Sequence, residues 1–273
     1  MTVADLSLGM RLKAQAGWNQ TDADWRRFLH LQADGCFVAE LDGTAVGTTT
    51  TCVFGPVAWV AMVLVDEAVR GRGIGTALMR HALAFLDGRA VRSVRLDATP
   101  LGQPVYEKLG FVAEYSLARY EGVLPAAAAH VTDVEPLAPE LLSEVCRFDQ
   151  AVTGTERGRM LSLLYEERPE AFRVLRRGGA VAGFLASRAG ANAVLIGPCI
   201  ARGDTGRRLL ADVPRRCAGQ RLFLDVPVPN LPAVSAVEAM GLTVQRHLLR
   251  MGRGEGVRDR VEELWASSGP EKG

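Results

Sequence analysis

The spacing of apolar residues changes several times along the chain, and each change marks an element. Thr2-Val3-Ala4-Asp5 fits a helix-starting pattern, Ser/Thr followed three residues later by an acid, and predicts a helix to about Ala16 with Gly17 as its stop. A second helix is expected from Thr21 or Asp22, with Trp25, Phe28, Leu29 and Leu31 on its apolar side. Cys36–Leu41 reads as a strand, Asp42-Gly43 as a hairpin turn, and the run from Ala45 to about Phe54 as the returning strand. After the break at Gly55-Pro56, Val57–Val65 is almost wholly apolar, as expected of a strand buried on both faces. Helical spacing returns over Thr76–Asp87, where Leu78, Ala82, Phe85 and Leu86 share one side and Gly88 ends the run. Val94–Ala98 is a further strand, Pro104–Leu109 a short helix closed by Gly110, and Phe111–Tyr120 strand-like. This order predicts an α/β (α+β layered) domain over residues 1–125, with a mixed, mostly antiparallel sheet flanked by helices.

Pro125–Ala129 reads as a linker, and the plan then repeats. Helices are expected over Pro139–Val152 and Glu156–Glu167, and strands over Phe172–Arg176, Ala180–Ser187 and Ala193–Ala201. The copies align best near their ends. Leu96-Asp97 and Leu224-Asp225 each close a strand, Leu109-Gly110-Phe111 matches Met240-Gly241-Leu242, and an arginine (Arg119, Arg250) follows nine residues after each glycine. Several coincidences at matched spacing indicate an internal duplication, with a second domain over 130–252. The remaining tail, 253–273, holds one amphipathic stretch (Val257–Trp265) and then polar residues and glycine, which are expected to be mobile.

Composition narrows the function classes. A formal net charge of +1 over 273 residues gives no nucleic-acid footprint, and the many arginines are scattered rather than patched. Cys36, Cys52, Cys146, Cys199 and Cys217 show no metal-ligand spacing, so no metal is expected and all five read as reduced, mostly buried thiols. Arg11 and Lys13 stand where a signal peptide would need an apolar run, and no stretch reaches membrane-spanning length, so a cytoplasmic chain is expected.

The chemistry concentrates where the buried strand runs out: Arg70-Gly71-Arg72-Gly73-Ile74-Gly75-Thr76. Alternating glycines allow close backbone approach, and the following helix start presents unpaired N–H groups at a positive dipole end, which suits a pyrophosphate. A kinase-type loop needs Gly-Lys-Ser/Thr, and the chain has no Gly-Lys. A dinucleotide fingerprint needs a third glycine at position 76, which is Thr76, although Asp97 stands about where a ribose-binding acid would fall. Two helices and a hairpin also precede the loop, where a dinucleotide unit would begin with its first strand.

The loop instead resembles the Arg/Gln-x-x-Gly-x-Gly/Ala signature of the GNAT N-acetyltransferases through Arg70, Gly73 and Gly75, and Tyr106-Glu107-Lys108-Leu109-Gly110-Phe111 resembles that family's Tyr-x-x-x-Gly-Phe segment. The likeness spans roughly residues 10 to 120. The second half is similar to the degenerate C-terminal lobe of a two-lobed subgroup, through Ile196-Gly197-Pro198 and Leu224–Asn230. Tandem GNAT-like domains are therefore expected. The start departs from the family, whose domains open with a strand where this chain has a helix cap.

The resemblance implies acetyl-CoA as co-substrate and a small-molecule amine as acceptor. It places the pantetheine arm like a surrogate strand beside Val63, Leu64 and Val65, and the pyrophosphate on the amides from Arg70 to Thr76, including Arg72 and Ile74. Tyr106 matches the family tyrosine that approaches the CoA sulfur, and a phenol can donate to a developing thiolate. Trp18 and Asn19 fall where the first helices shape the acceptor pocket, while Trp25 reads equally well as core. No carboxylate occurs from Trp59 to Val65, so a general base is not legible; Asp97 is a candidate, equally readable as a turn or cap acceptor. The second half lacks the glycine alternation over Ile200–Arg208 and has Val237 in place of the tyrosine. Its proline-stiffened segment with Asp225 and Asn230 is expected either to help bind the acceptor or only to stop a strand. A non-enzymatic acetyl-CoA sensor and a nicotinamide-dependent dehydrogenase are the competing functions.

Overall fold

A computed structural model describes residues 1–126 and 131–273; Ala127, Ala128 and Ala129 of the expected linker lie outside the described residues. The first half runs α1 (Leu6–Gln15), α2 (Asp22–Gln32), β1 (Cys36–Leu41), β2 (Thr44–Phe54), β3 (Val57–Val65), α3 (Ile74–Asp87), β4 (Ser93–Ala98), α4 (Gln103–Glu107) and β5 (Val112–Val123). The second runs β6 (Val134–Pro136), α5 (Leu142–Thr153), α6 (Gly158–Glu167), β7 (Arg173–Arg177), β8 (Ala180–Arg188), β9 (Val194–Ala201), α7 (Thr205–Ala211), α8 (Val213–Arg216), β10 (Arg221–Pro227), α9 (Leu231–Ala239), β11 (Thr243–Gly254) and β12 (Leu264–Ala266). Thr2 and Thr21 both form the capping boxes their spacing predicts, with Asp5 and Asp24. The hairpin turn at Asp42-Gly43 has positive φ at both residues, which matches the right-handed twist of the strands it joins.

The strands form one sheet in the order β1-β2-β3-β4-β11-β5-β10-β9-β8-β7-β6, with β12 on β9. The last strand of each half is thus exchanged: β11 pairs with β4, and β5 pairs with β10. This explains the matched Asp and Arg positions of the repeat. Arg250 stands opposite Asp97 and Arg119 opposite Asp225, so each copy's aspartate meets the other copy's arginine. Both pairs are two-pronged and buried, with N–O distances of 2.8 and 2.9 Å for Arg250–Asp97 and 2.7 Å twice for Arg119–Asp225. Burial alone would pull Arg250 down, but Asp97 and the Tyr115 hydroxyl beside it push it well above its ordinary value. Arg95 adds a third cross-half pair, to Asp259 at 2.7 Å.

The largest core cluster also joins the halves, packing Leu12, Trp25, Phe28 and Trp59 with Val145, Phe148, Leu161 and Phe184. Residues 267–273 are not a loose tail. Ser267, Ser268, Glu271 and Lys272 are buried, Arg188 and Arg157 donate to the carbonyls of Ser268 and Lys272, and Arg188 also pairs with Glu271. Their polar composition is matched by buried arginines, which sequence spacing alone cannot reveal.

The five cysteines form no disulfide, and burial pushes the thiols of Cys36 and Cys52 up to about 12. Half-buried Cys146 is therefore expected to be the one thiol that an aromatic disulfide reagent reaches in the native chain. Rapid native-state titration of several thiols would contradict this packing.

Candidate active site

β3 and β4 run parallel but pair only over Val57–Ser93, Ala58–Val94 and Trp59–Arg95. Beyond that point they separate, and a cavity of about 760 Å³ opens between them. Val63, Leu64 and Val65 line it from one strand and Leu96 from the other. The ladder to β2 is irregular here: Thr48 pairs with Leu64 and Thr50 with Ala61, which leaves Met62 and Val63 without ladder partners. Met62 takes a φ of +53°, a left-handed conformation that costs a β-carbon residue about 1–2 kcal/mol. Neighbours hold it there, and the Thr48 hydroxyl donates to the Met62 carbonyl at 2.9 Å. The bulge frees backbone amides beside the cavity, where an extended ligand could pair with them.

The glycine loop closes the same cavity. Gly71 and Gly73 have φ of +79° and +80°, and Gly73 is the N-cap of the 14-residue helix α3. The first helical bond runs from Ala77 N to Gly73 O, at 2.9 Å, so the amides of Ile74, Gly75 and Thr76 have no partner within the helix. They lie at the positive end of the helix dipole, an arrangement that favours an anion. Arg70 donates through Nε to the Val65 carbonyl at 3.0 Å, bracing the turn, while Arg72 is exposed and off the cavity wall. Tyr106 lines the cavity from α4, with its ring centroid 6.1 Å from that of Phe111. Burial pushes its phenol up to about 12, so it stays protonated at neutral pH and is available as a donor.

The acceptor candidates divide. Trp18 is on the cavity wall. Asn19 is not; it accepts from the amides of Asn192 and Ala193 at 2.8 and 3.0 Å and donates to the Ala193 carbonyl, pinning the second half to the first. Asp97 has its backbone at the cavity, but both carboxylate oxygens are taken by Arg250, which removes it as a base. Asp225 is committed to Arg119 in the same way. Asn230 caps α9 through Ala233 N and donates to the carbonyls of Val261, Glu262 and Leu264. Neither Asp225 nor Asn230 lines the cavity, so the acceptor role considered for that segment gives way to a structural one. The wall carries instead Gln20, Arg246, Leu248 and Glu271. Gln20 lay one residue beyond the expected pair, whereas the others depend on the strand exchange and the buried tail, for which the sequence has no local signal.

The second half repeats the splay and fills it. β9 and β10 pair only over Val194–Leu222 and Leu195–Phe223. Into the gap goes β12, pairing with β9, and the Ser267 amide donates to the Asp225 carbonyl of β10 at 2.8 Å. Trp265 lies so close over Gly206, in the first turn of α7, that a β-carbon there would sit 2.0 Å from its ring. The chain itself occupies the slot and the helix start that stay open in the first half.

Two sequence profiles match, the Acetyltransferase (GNAT) family over residues 10–111 and an Acetyltransferase (GNAT) domain over residues 145–266. The chain belongs to the two-lobed GNAT acetyltransferases. It is an acyltransferase. A holothin acyltransferase from Pseudoalteromonas sp. (strain SANK 73390) is 24% identical over 262 residues, covering 94% of this chain and 87% of its own. A candidate acetyltransferase from Pyrococcus horikoshii shares the fold with a TM-score of 0.86 at 23% identity, over 100% of this chain and 94% of that one. A tandem GNAT protein from the clavulanic acid biosynthesis pathway aligns with a TM-score of 0.62 at 16% identity, over 94% of this chain and 96% of that one. Among the described residues of this GNAT chain, parallel pairing is confined to β3–β4 and β9–β10, unlike the mostly parallel sheet of a nicotinamide-dependent dehydrogenase.

Proposed function

We propose that the first lobe transfers an acetyl group from acetyl-CoA to the amine of a small molecule. The observation that carries this reading is the open wedge between β3 and β4, running into the free amides at the start of α3. The backbone of Val63 and Val65 suits pairing with the pantetheine amides, and the amides from Gly71 to Thr76 suit the pyrophosphate. The second lobe, its wedge filled by β12 and Trp265, is assigned no donor site.

The chemistry asked of the chain is modest. An amine nitrogen attacks the thioester carbonyl carbon, the tetrahedral oxyanion collapses, the C–S bond breaks, and the sulfur takes up a proton. The bulge at Met62 leaves an amide near Val63 to stabilise the oxyanion. Tyr106 supplies the proton to the departing sulfur, the surplus proton on nitrogen leaves to water, and water returns a proton to the Tyr106 phenolate. Holding the two substrates together contributes much of the acceleration, so no strong base is required.

A panel of amines, with released thiol followed, tests the reading; a chain that binds acetyl-CoA but acetylates no amine would overturn it. Tyr106→Phe is expected to lower kcat by about one to three decades with little change in acetyl-CoA affinity. An unchanged kcat, measured where chemistry limits the rate, would leave Tyr106 a packing residue beside Phe111.

A further inference from the structure

Buried polar atoms without partners are rare, because each costs about 1–3 kcal/mol. Ten such atoms occur among the described residues, and three of them, Gln20 Oε1, Arg246 Nε and Glu271 Oε2, belong to residues that line the same cavity. They come from the segment after α1, from β11 and from the buried tail, so no single local distortion accounts for all three. Glu271 is 2% exposed, and Arg188 and Lys272 both engage its other oxygen, Oε1.

Arg246 stands apart from its neighbours. Arg95, Arg119, Arg188 and Arg250 are each paired with a buried carboxylate. Arg246 lies two residues before Leu248 on the cavity wall and is left without such a pair among the described residues. Burial, and then the charge of Arg119, pull its guanidinium down to about 10 against the weaker pull of Asp225 and Glu271. A half-buried cation held this way at a cavity wall lacks an anion.

We infer that the acceptor is an amine that also carries a carboxylate, with Arg246 binding the carboxylate and Glu271 Oε2 accepting a hydrogen bond from the amine. Gln20 Oε1 offers a second acceptor on the same wall. A planar guanidinium suits a carboxylate two-pronged, and a charged partner makes that contact stronger than a neutral one. The amino acid is therefore a small one, because the same cavity of about 760 Å³ must also take the pantetheine arm.

This inference rests on the transfer reading, and two measurements separate their failures. In turnover, glycine and β-alanine are compared with glycinamide and propylamine. The carboxylated amines should have a kcat/KM roughly ten- to a hundredfold higher, the range for a hydrogen bond to a charged group. Arg246→Met should erase that preference while leaving acetyl-CoA affinity intact, and Arg246→Lys should restore part of it. Glu271→Gln should lower kcat/KM for every amine in the panel. In binding, N-acetylglycine should stabilise the CoA-loaded wild type against heat where N-acetylglycinamide does not, and Arg246→Met should abolish the difference. Equal use of both amine series, or a carboxylate preference that survives Arg246→Met, overturns the inference and leaves acyl transfer standing. Arg246-dependent binding of N-acetylglycine without turnover of any amine supports the carboxylate site and overturns the transfer. Neither binding nor preference overturns the inference outright.

Discussion

Gly73→Asp should remove acetyl-CoA binding, weakening it by at least about two decades, which is roughly 2.7 kcal/mol. Gly73 is left-handed, and aspartate is among the few β-carbon residues that tolerate such a φ, so the fold is expected to survive. No heavy atom beyond the chain neighbours lies within 4 Å of a β-carbon built there, so the substitution starts in open space. It instead places a negative charge at the helix start where the pyrophosphate would bind, reversing the attraction of the dipole and the free amides. Gly73→Asn, of the same shape without the charge, should lose less. Calorimetry would count against the site if Gly73→Asp bound with undiminished affinity, or if the wild type held two equivalent sites.

Arg250→Met should destabilise the whole chain by about 3–5 kcal/mol, the usual cost of leaving one partner of a buried ion pair uncompensated. The side chain is 2% exposed and faces an Asp97 that is 0% exposed, so water cannot take over the lost charge. Because the pair joins strands from opposite halves and the main core is shared, urea should unfold the protein in a single transition, shifted as a unit. Replacing Asp97 by Leu in the same chain should recover much of the loss. For the same reason a fragment ending at residue 126 should fail to fold alone, since β4 would lose β11 and Arg95 would lose Asp259. A shift below about 1 kcal/mol, or two separate transitions, would mean that the exchanged strands do not couple the halves.

The glycine-loop wall of the cavity was legible because its signals are local. Alternating glycines after an apolar strand describe a turn and a helix start whatever the rest of the chain does, and the sequence order placed Tyr106 nearby. The opposite wall was not, for two physical reasons. Asp97 and Arg250 were visible as members of a repeat, but a repeat reads the same whether its copies pair within themselves or across each other. Only the exchange makes Asp97 a structural anion instead of a base. The tail's packing is hidden from composition: Ser267, Ser268, Glu271 and Lys272 look solvated, while Arg157 and Arg188 supply the partners that water would otherwise provide. Arg246 is hidden for the complementary reason: among so many arginines, its lack of a carboxylate partner is visible only in three dimensions.

The position of β11 sets an order of events during synthesis. When the ribosome has released the glycine turn and Tyr106, the far edge of β4 is still bare, because its neighbour is residues 243–254. More than a hundred further residues must emerge before that edge closes, an interval of roughly 7–30 s at ordinary elongation rates. Until then the nascent first lobe carries an unpaired strand edge and a buried-type Asp97 without its arginine, which makes it a natural client for holding chaperones. A pause in translation before residue 243 should therefore harm this chain more than one placed between the lobes of a tandem protein whose lobes close separately.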